Sequence, residues 1–66
     1  MDLKAIRRGK GLTGAEVSVQ AGISQQHYSW IENGRRRPSV EVAKRIAAAL
    51  GFEWTRFYEE DTKGVT

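Results

Sequence analysis

Between Leu12 and Ser39 the chain carries so many helix starts and stops that few folds can satisfy them all. Thr13 and Glu16 form a T-x-x-E box, in which the hydroxyl accepts from the N–H of Glu16 and the carboxylate accepts from the N–H of Thr13. Both N–H groups would otherwise be left unpaired at a helix start. Val17 and Ala21 are the apolar positions that follow, and Gly22 can take the left-handed conformation that closes a helix. Ser24 is then a good cap for a second helix. The spacing therefore predicts a helix over Thr13–Ala21, a tight turn, and a helix over Gln25–Glu32 that Asn33-Gly34 stops.

The flanking segments read the same way. Asp2 can cap a first helix carrying Leu3, Ala5 and Ile6, which Gly9 and Gly11 bring to an end. Arg35 to Pro38 form a loop, because proline disfavours helix in the residue before it, and Ser39 caps a fourth helix. There Val42, Ala43, Ile46, Ala47 and Leu50 fall on one face, and Gly51 ends the run. A last helix is predicted from about Glu53 to Glu60, with Trp54, Phe57 and Tyr58 on it. The expectation is an all-α, compact five-helix domain over residues 1–60 and a polar, disordered tail over 61–66. With no repeat, linker or low-complexity segment, no second domain that senses a ligand is expected.

Size and composition narrow the function. Sixty-six residues make one domain, near the size at which a lone hydrophobic core is only just sufficient, so dimerisation would help. Without cysteine and with a single histidine, His27, the chain offers no set of metal ligands, and no cofactor is expected. It has no phosphate-cradling glycine loop and no paired carboxylates in a plausible pocket, which argues against an enzyme. The longest apolar run, Ile46 to Leu50, is far short of the roughly 20 residues that span a bilayer, and no signal-peptide core is present. A cytoplasmic protein with no membrane contact is expected. Net charge is +3, and four of the eight acids lie at or beyond Glu53. The body before them is more basic still, which favours a polyanionic partner.

Leu3, Arg7, Leu12-Thr13, Glu16, Ala21-Gly22-Ile23-Ser24, Ser29, Ile31-Glu32-Asn33-Gly34, Pro38-Ser39 and Ile46 to Gly51 together resemble the lambda-repressor-like (Xre/Cro) helix-turn-helix family. The resemblance spans Leu3 to Tyr58. In its third segment the Ser24-Gln25-Gln26 start and the Glu32-Asn33-Gly34 end look most like the phage 434 repressor. It implies a DNA-binding transcriptional regulator, a repressor that binds a pseudo-palindromic operator in double-stranded DNA as a homodimer. An antitoxin or restriction-system controller acting on its own promoter would look the same in sequence. A protein-interaction module derived from this fold is a third reading, since Gly14 and Trp30 depart from the family pattern.

Glutamine can donate to and accept from adenine N6 and N7 together, so Gln25 and Gln26, at the exposed first turn of the third helix, are the candidate base readers. The resemblance also turns Trp30 toward DNA. Its ring could meet a thymine methyl, fold back over the following loop, or face a partner protein. His27 is a candidate for a phosphate or base-edge contact, or is simply exposed. Gly14 stands where relatives carry a phosphate-contacting glutamine, and only its backbone N–H at the positive helix end is left for that contact. Asn33, Arg35, Arg36 and Arg37 match positions that relatives lay along the phosphates, where cations give affinity without sequence preference. Arg7 and Glu32 match a structural salt bridge that ties the first helix to the third. Trp54 and Arg56 fall at the family's dimer contact, with Trp54 weighed against a core role, and Phe57 is assigned to the core. Tyr28 is expected to pack its ring inward with its hydroxyl reaching the surface.

Overall fold

Four helices each begin at a side-chain cap and end near a glycine of positive φ: α1 (Leu3–Gly9), α2 (Gly14–Ala21), α3 (Gln25–Glu32) and α4 (Val40–Leu50). These come from a computed structural model that describes residues 1–58. The described residues contain no strand. The caps act as the sequence predicts. Asp2 accepts from the N–H of Ala5 at 3.1 Å, and Ser24 and Ser39 accept from the N–H groups of His27 and Val42 at 3.0 and 3.2 Å. Both halves of the Thr13–Glu16 capping box are made, at 3.1 and 2.9 Å. Each such cap stabilises its helix by about 1 kcal/mol.

The helix ends matter most for the site. At Gly22 (φ 70°) the N–H donates back to the Val19 carbonyl and the next N–H, of Ile23, to that of Ser18. At Gly34 (φ 75°) the N–H of Gly34 reaches the Ile31 carbonyl and that of Arg35 the Trp30 carbonyl. This paired 5→2 and 6→1 pattern needs a left-handed residue, which side chains with a Cβ rarely adopt. It reverses the chain sharply after α2 and after α3, so each helix is followed by a turn of fixed shape.

The core is built from Leu3, Val17, Ala21, Tyr28, Ile31, Ile46 and Leu50, with Met1, Ile6, Leu12, Ile23, Val42, Phe52 and Phe57 packed around it. α4 supplies one buried stripe, Ala43, Ile46, Ala47 and Leu50, against which α2 lies. Burying a side chain such as Ile46 or Leu50 stabilises the fold by about 1.5–3 kcal/mol. Within α1 Leu3 is buried and Ile6 half-buried, while Ala5 is exposed.

The C-terminal segment departs from expectation in its start. Glu53, Trp54 and Thr55 form turns whose carbonyls accept from the N–H groups of Arg56, Phe57 and Tyr58 at 3.0–3.1 Å, and a fifth helix opens only at Arg56. The tight bonds span three residues, so the chain winds before a regular α-helix begins. Glu59, Glu60 and the predicted tail over 61–66 lie outside the described residues.

Candidate nucleic-acid interface

α3 presents two unlike faces. Tyr28 and Ile31 point into the core, with Tyr28 only 1% exposed. Gln26, Trp30 and Asn33 share the opposite face, since residues three, four and seven apart line up on a helix. Gln25, Gln26 and Asn33 are exposed, while His27, Ser29 and Trp30 are half-buried. The Ser24 cap holds the first turn, so the two glutamines project from a fixed helix start. The Asn33 amide donates to the Ser29 hydroxyl in a long 3.4 Å contact, which anchors Asn33 only loosely.

Gly14 and the Tyr28 ring meet where α2 begins. A Cβ built on Gly14 would lie 3.6 and 3.7 Å from the Tyr28 ring carbons, ordinary van der Waals contact. The ring of α3 therefore lies against the bare start of α2, and the two helices of the motif meet at that point. The expected surface position of the Tyr28 hydroxyl is not observed. The oxygen is buried and makes no hydrogen bond of good geometry. Burial, with the nearby Glu32 carboxylate second, pushes the phenol well above its ordinary range. The length of the aromatic ring carries its oxygen inward to the Arg7–Glu32 pair instead of to water.

That pair closes the other side of the motif. Arg7 Nε donates to Glu32 Oε2 at 2.8 Å, with a longer 3.4 Å contact from Nη2 to Oε1, and both side chains are nearly buried at 13% and 11% exposure. Arg7 Nη1 also donates to the Leu12 carbonyl at 2.8 Å, so one guanidinium ties α1, the turn before α2 and the end of α3. Burial alone would raise the Glu32 carboxyl. The bonds from Arg7, the nearby Tyr28 hydroxyl and the charges of Arg7 and Lys4 outweigh it and hold the group below the usual range. The Arg7 guanidinium is in turn shifted up by its bond to Glu32.

Beyond α3 the chain turns at Gly34 into exposed Arg35, Arg36 and Arg37, followed by buried Pro38. The N–H groups of Arg35 and Arg36 both donate to the Trp30 carbonyl, at 2.8 and 3.2 Å. The guanidinium of Arg36 lies 5.3 Å from the centre of the Trp30 ring, within cation–π range. At the far end of the loop the Tyr58 hydroxyl donates to the Pro38 carbonyl at 2.9 Å. A Trp30 ring folded back over the loop is one of the three placements that the sequence leaves open, whereas the Tyr58 bond has no signal in it. The six-residue separation of Trp30 and Arg36 is not a helical spacing, and only the left-handed Gly34 brings them together. A cleft of about 340 Å³ lies beside this loop, lined by Met1, Ile31, Gly34, Arg36, Arg37, Pro38 and Phe57.

The C-terminal aromatics divide. Phe57 packs on the core and stacks at a tilt on Phe52, 5.5 Å between ring centres. Half-buried Trp54 meets the Tyr58 ring edge-on at 6.0 Å and carries the Lys44 ammonium at 5.2 Å. Exposed Arg56 lies 5.9 Å from the Phe52 ring centre. No group of side chains able to hold a metal occurs among the described residues, and no described helix is long and apolar enough to cross a membrane.

Comparison with known proteins agrees with this geometry. Residues 3–57 match the helix-turn-helix family. The chain is 50% identical over 58 residues to the uncharacterised HTH-type transcriptional regulator YqaF of Bacillus subtilis, covering 88% of this chain and 76% of that protein. It is 32% identical over 60 residues to the immunity repressor protein of Bacillus phage phi105, covering 91% of this chain but 42% of the repressor. HTH-type transcriptional regulator SlrR of B. subtilis is 31% identical over 61 residues, again with 91% of this chain but 40% of that protein covered. No solved structure gives a significant match. The buried α2–α3 motif, its caps and turns, and these matches along nearly the whole described chain show that the protein belongs to the lambda-repressor-like helix-turn-helix family.

Proposed function

We propose that this chain is a transcriptional regulator that binds duplex DNA in the cytoplasm, laying α3 in the major groove and acting as a repressor on a pseudo-palindromic operator. The observation that carries the reading is the build of α3. Its first turn exposes Gln25 and Gln26 on a capped helix start, and its last turn is locked to a run of three exposed arginines. A helix of this width fits the major groove, and glutamine edges there can select adenine. Arg35, Arg36 and Arg37, with Asn33, His27 and the backbone N–H of Gly14, supply phosphate contacts that set affinity and register. The likeness of the Ser24-Gln25-Gln26 start to the phage 434 pattern supports the same docking. The Trp30 ring already carries Arg36, so base reading rests on the two glutamines. Trp54 and Arg56 provide the two-fold contact, because a large half-buried aromatic beside an exposed cation suits a surface that meets its own copy.

Selection of bound duplexes from a random pool tests this directly. Two half-sites related by a dyad are expected, with centres about 10–10.5 base pairs apart. A single unpaired half-site would remove the dimer from the proposal. No enrichment over the input pool at low salt would remove DNA recognition itself.

A further inference from the structure

Arg36 is held at both ends by one residue. Its N–H donates to the Trp30 carbonyl at 3.2 Å, and its guanidinium lies 5.3 Å from the centre of the Trp30 ring. The ring sits on the outward face of α3 in line with Gln26 and Asn33, yet it is half-buried. An arginine in a surface loop ordinarily samples many rotamers, and fixing them on binding costs free energy. Here the turn at Gly34 folds the loop back so that the side chain already lies along the edge of the recognition helix.

We propose that Trp30 is a positioning residue: its indole is the platform that holds Arg36 ready for a DNA phosphate next to the groove in which α3 sits, and it reads no base. This rests on the DNA-binding reading above and assigns a residue within it. Phosphate contacts fix a protein's register on the duplex, so the platform sets how the base-reading end of α3 enters the groove. The carbonyl that anchors the loop belongs to the backbone and survives substitution, so the ring can be tested alone.

The experiment is a double-mutant cycle on the selected operator, on each of its single-base variants and on random duplex, with wild type, Trp30→Leu, Arg36→Ala and the double variant. Thermal melts establish that each is folded. Trp30→Leu should weaken binding about two- to fivefold per bound copy and by the same factor on every sequence. In the Arg36→Ala background it should then have no further effect, because coupled residues are non-additive. Trp30→Phe should recover part of the loss. In the free wild-type protein the Arg36 side-chain protons should show an upfield ring-current shift that Trp30→Leu abolishes. A full Trp30→Leu effect persisting without Arg36, or a loss confined to one base pair, overturns the assignment while leaving DNA binding intact. Wild-type protein that binds no duplex overturns both. Should Trp30→Leu fail to fold, the Trp30→Phe and Arg36→Ala cycle reads the same coupling at about twofold.

Discussion

A single arginine and a run of three meet the end of α3, and they differ in what surrounds the charge. Arg7 reaches the end of the helix from α1 and is nearly buried, with its Nε and Nη2 donating to Glu32 and its Nη1 to the Leu12 carbonyl. Arg35 to Arg37 leave the same helix end through Gly34 and stay exposed, and backbone bonds and an indole ring hold the start of this loop. A guanidinium satisfied by a carboxylate and removed from water has little left to offer a phosphate. Arg35 and Arg36, held at their backbone N–H groups, keep their side chains at the surface. The same residue type therefore serves the fold on one side of α3 and remains available for binding on the other, and burial with partner decides which.

The largest effect that would break this contrast is at the buried pair. Glu32→Ala leaves the Arg7 charge without its carboxylate partner, and hydrogen bonds to charged groups are worth about 1.5–3 kcal/mol. In a domain this small the melting temperature should fall by on the order of 10 °C. Below that temperature the salt dependence of DNA binding should match wild type. The pair also has a pH signature. The Glu32 carboxyl is lower in the folded chain than its ordinary value of about 4.5, so its contribution is complete above that pH and is lost as pH falls through the folded value. Glu16 is likewise lowered, by its bonds to Thr13, so wild type loses stability in acid through both groups. Denaturant melts of Glu32→Gln should lack the Glu32 share of that slope. Parallel acid profiles in the two proteins would mean the pair contributes nothing.

Next in size is the loop. Replacing Arg35 and Arg36 with Ala should leave stability within about 0.5 kcal/mol, because surface substitutions away from caps and core rarely exceed that. Binding should weaken on all sequences alike, and the log–log salt slope should flatten by about 0.9 for each phosphate that is no longer neutralised, counted per copy. An unchanged slope in a folded protein on its selected site would make the loop a solvated feature and dissolve the contrast.

The smallest effect sharpens it from inside. The Tyr28 hydroxyl sits beside the Arg7–Glu32 pair without a hydrogen bond of good geometry, and a buried orphan oxygen adds a desolvation cost. Tyr28→Phe should therefore be neutral or stabilising by up to about 1 kcal/mol, measured by denaturant unfolding. In the folded chain the phenol is raised above its ordinary value of about 10. Ionisation therefore favours the unfolded chain as pH rises above that value, so the alkaline loss in wild type should be reduced in Tyr28→Phe. A loss above 1 kcal/mol would show that the hydroxyl is bonded.

What the sequence discloses and what it hides follow from range. The caps at Asp2, Thr13, Ser24 and Ser39 and the stops at Gly22, Gly34 and Gly51 are local, each a contest between one side chain and the nearest backbone groups, and they place the helices to within a residue. The start of the last helix is less legible, because three-residue turns at Glu53 to Thr55 satisfy the same N–H groups that a helix would. The burial of the Tyr28 hydroxyl beside the Arg7–Glu32 pair depends on packing between helices, and no periodicity reveals it. The Trp30–Arg36 contact depends on a backbone reversal between them. Of the candidate site, the exposed glutamines and arginines can be read from position alone. For Trp30 the sequence leaves three placements open, and the turn at Gly34 is what brings its ring against the loop.

On the proposed reading the first turn of α3 reads sequence, while the loop after it supplies sequence-blind affinity. The most direct measurement compares wild type with Gln25→Ala and Gln26→Ala on the selected operator, on its single-base variants and on random duplex at one salt concentration. Each variant is expected to lose about 1–3 kcal/mol of discrimination at one or two positions of each half-site while binding to random duplex stays the same. Equal losses on every sequence, or full retention of base preference in both variants, would contradict that division of roles.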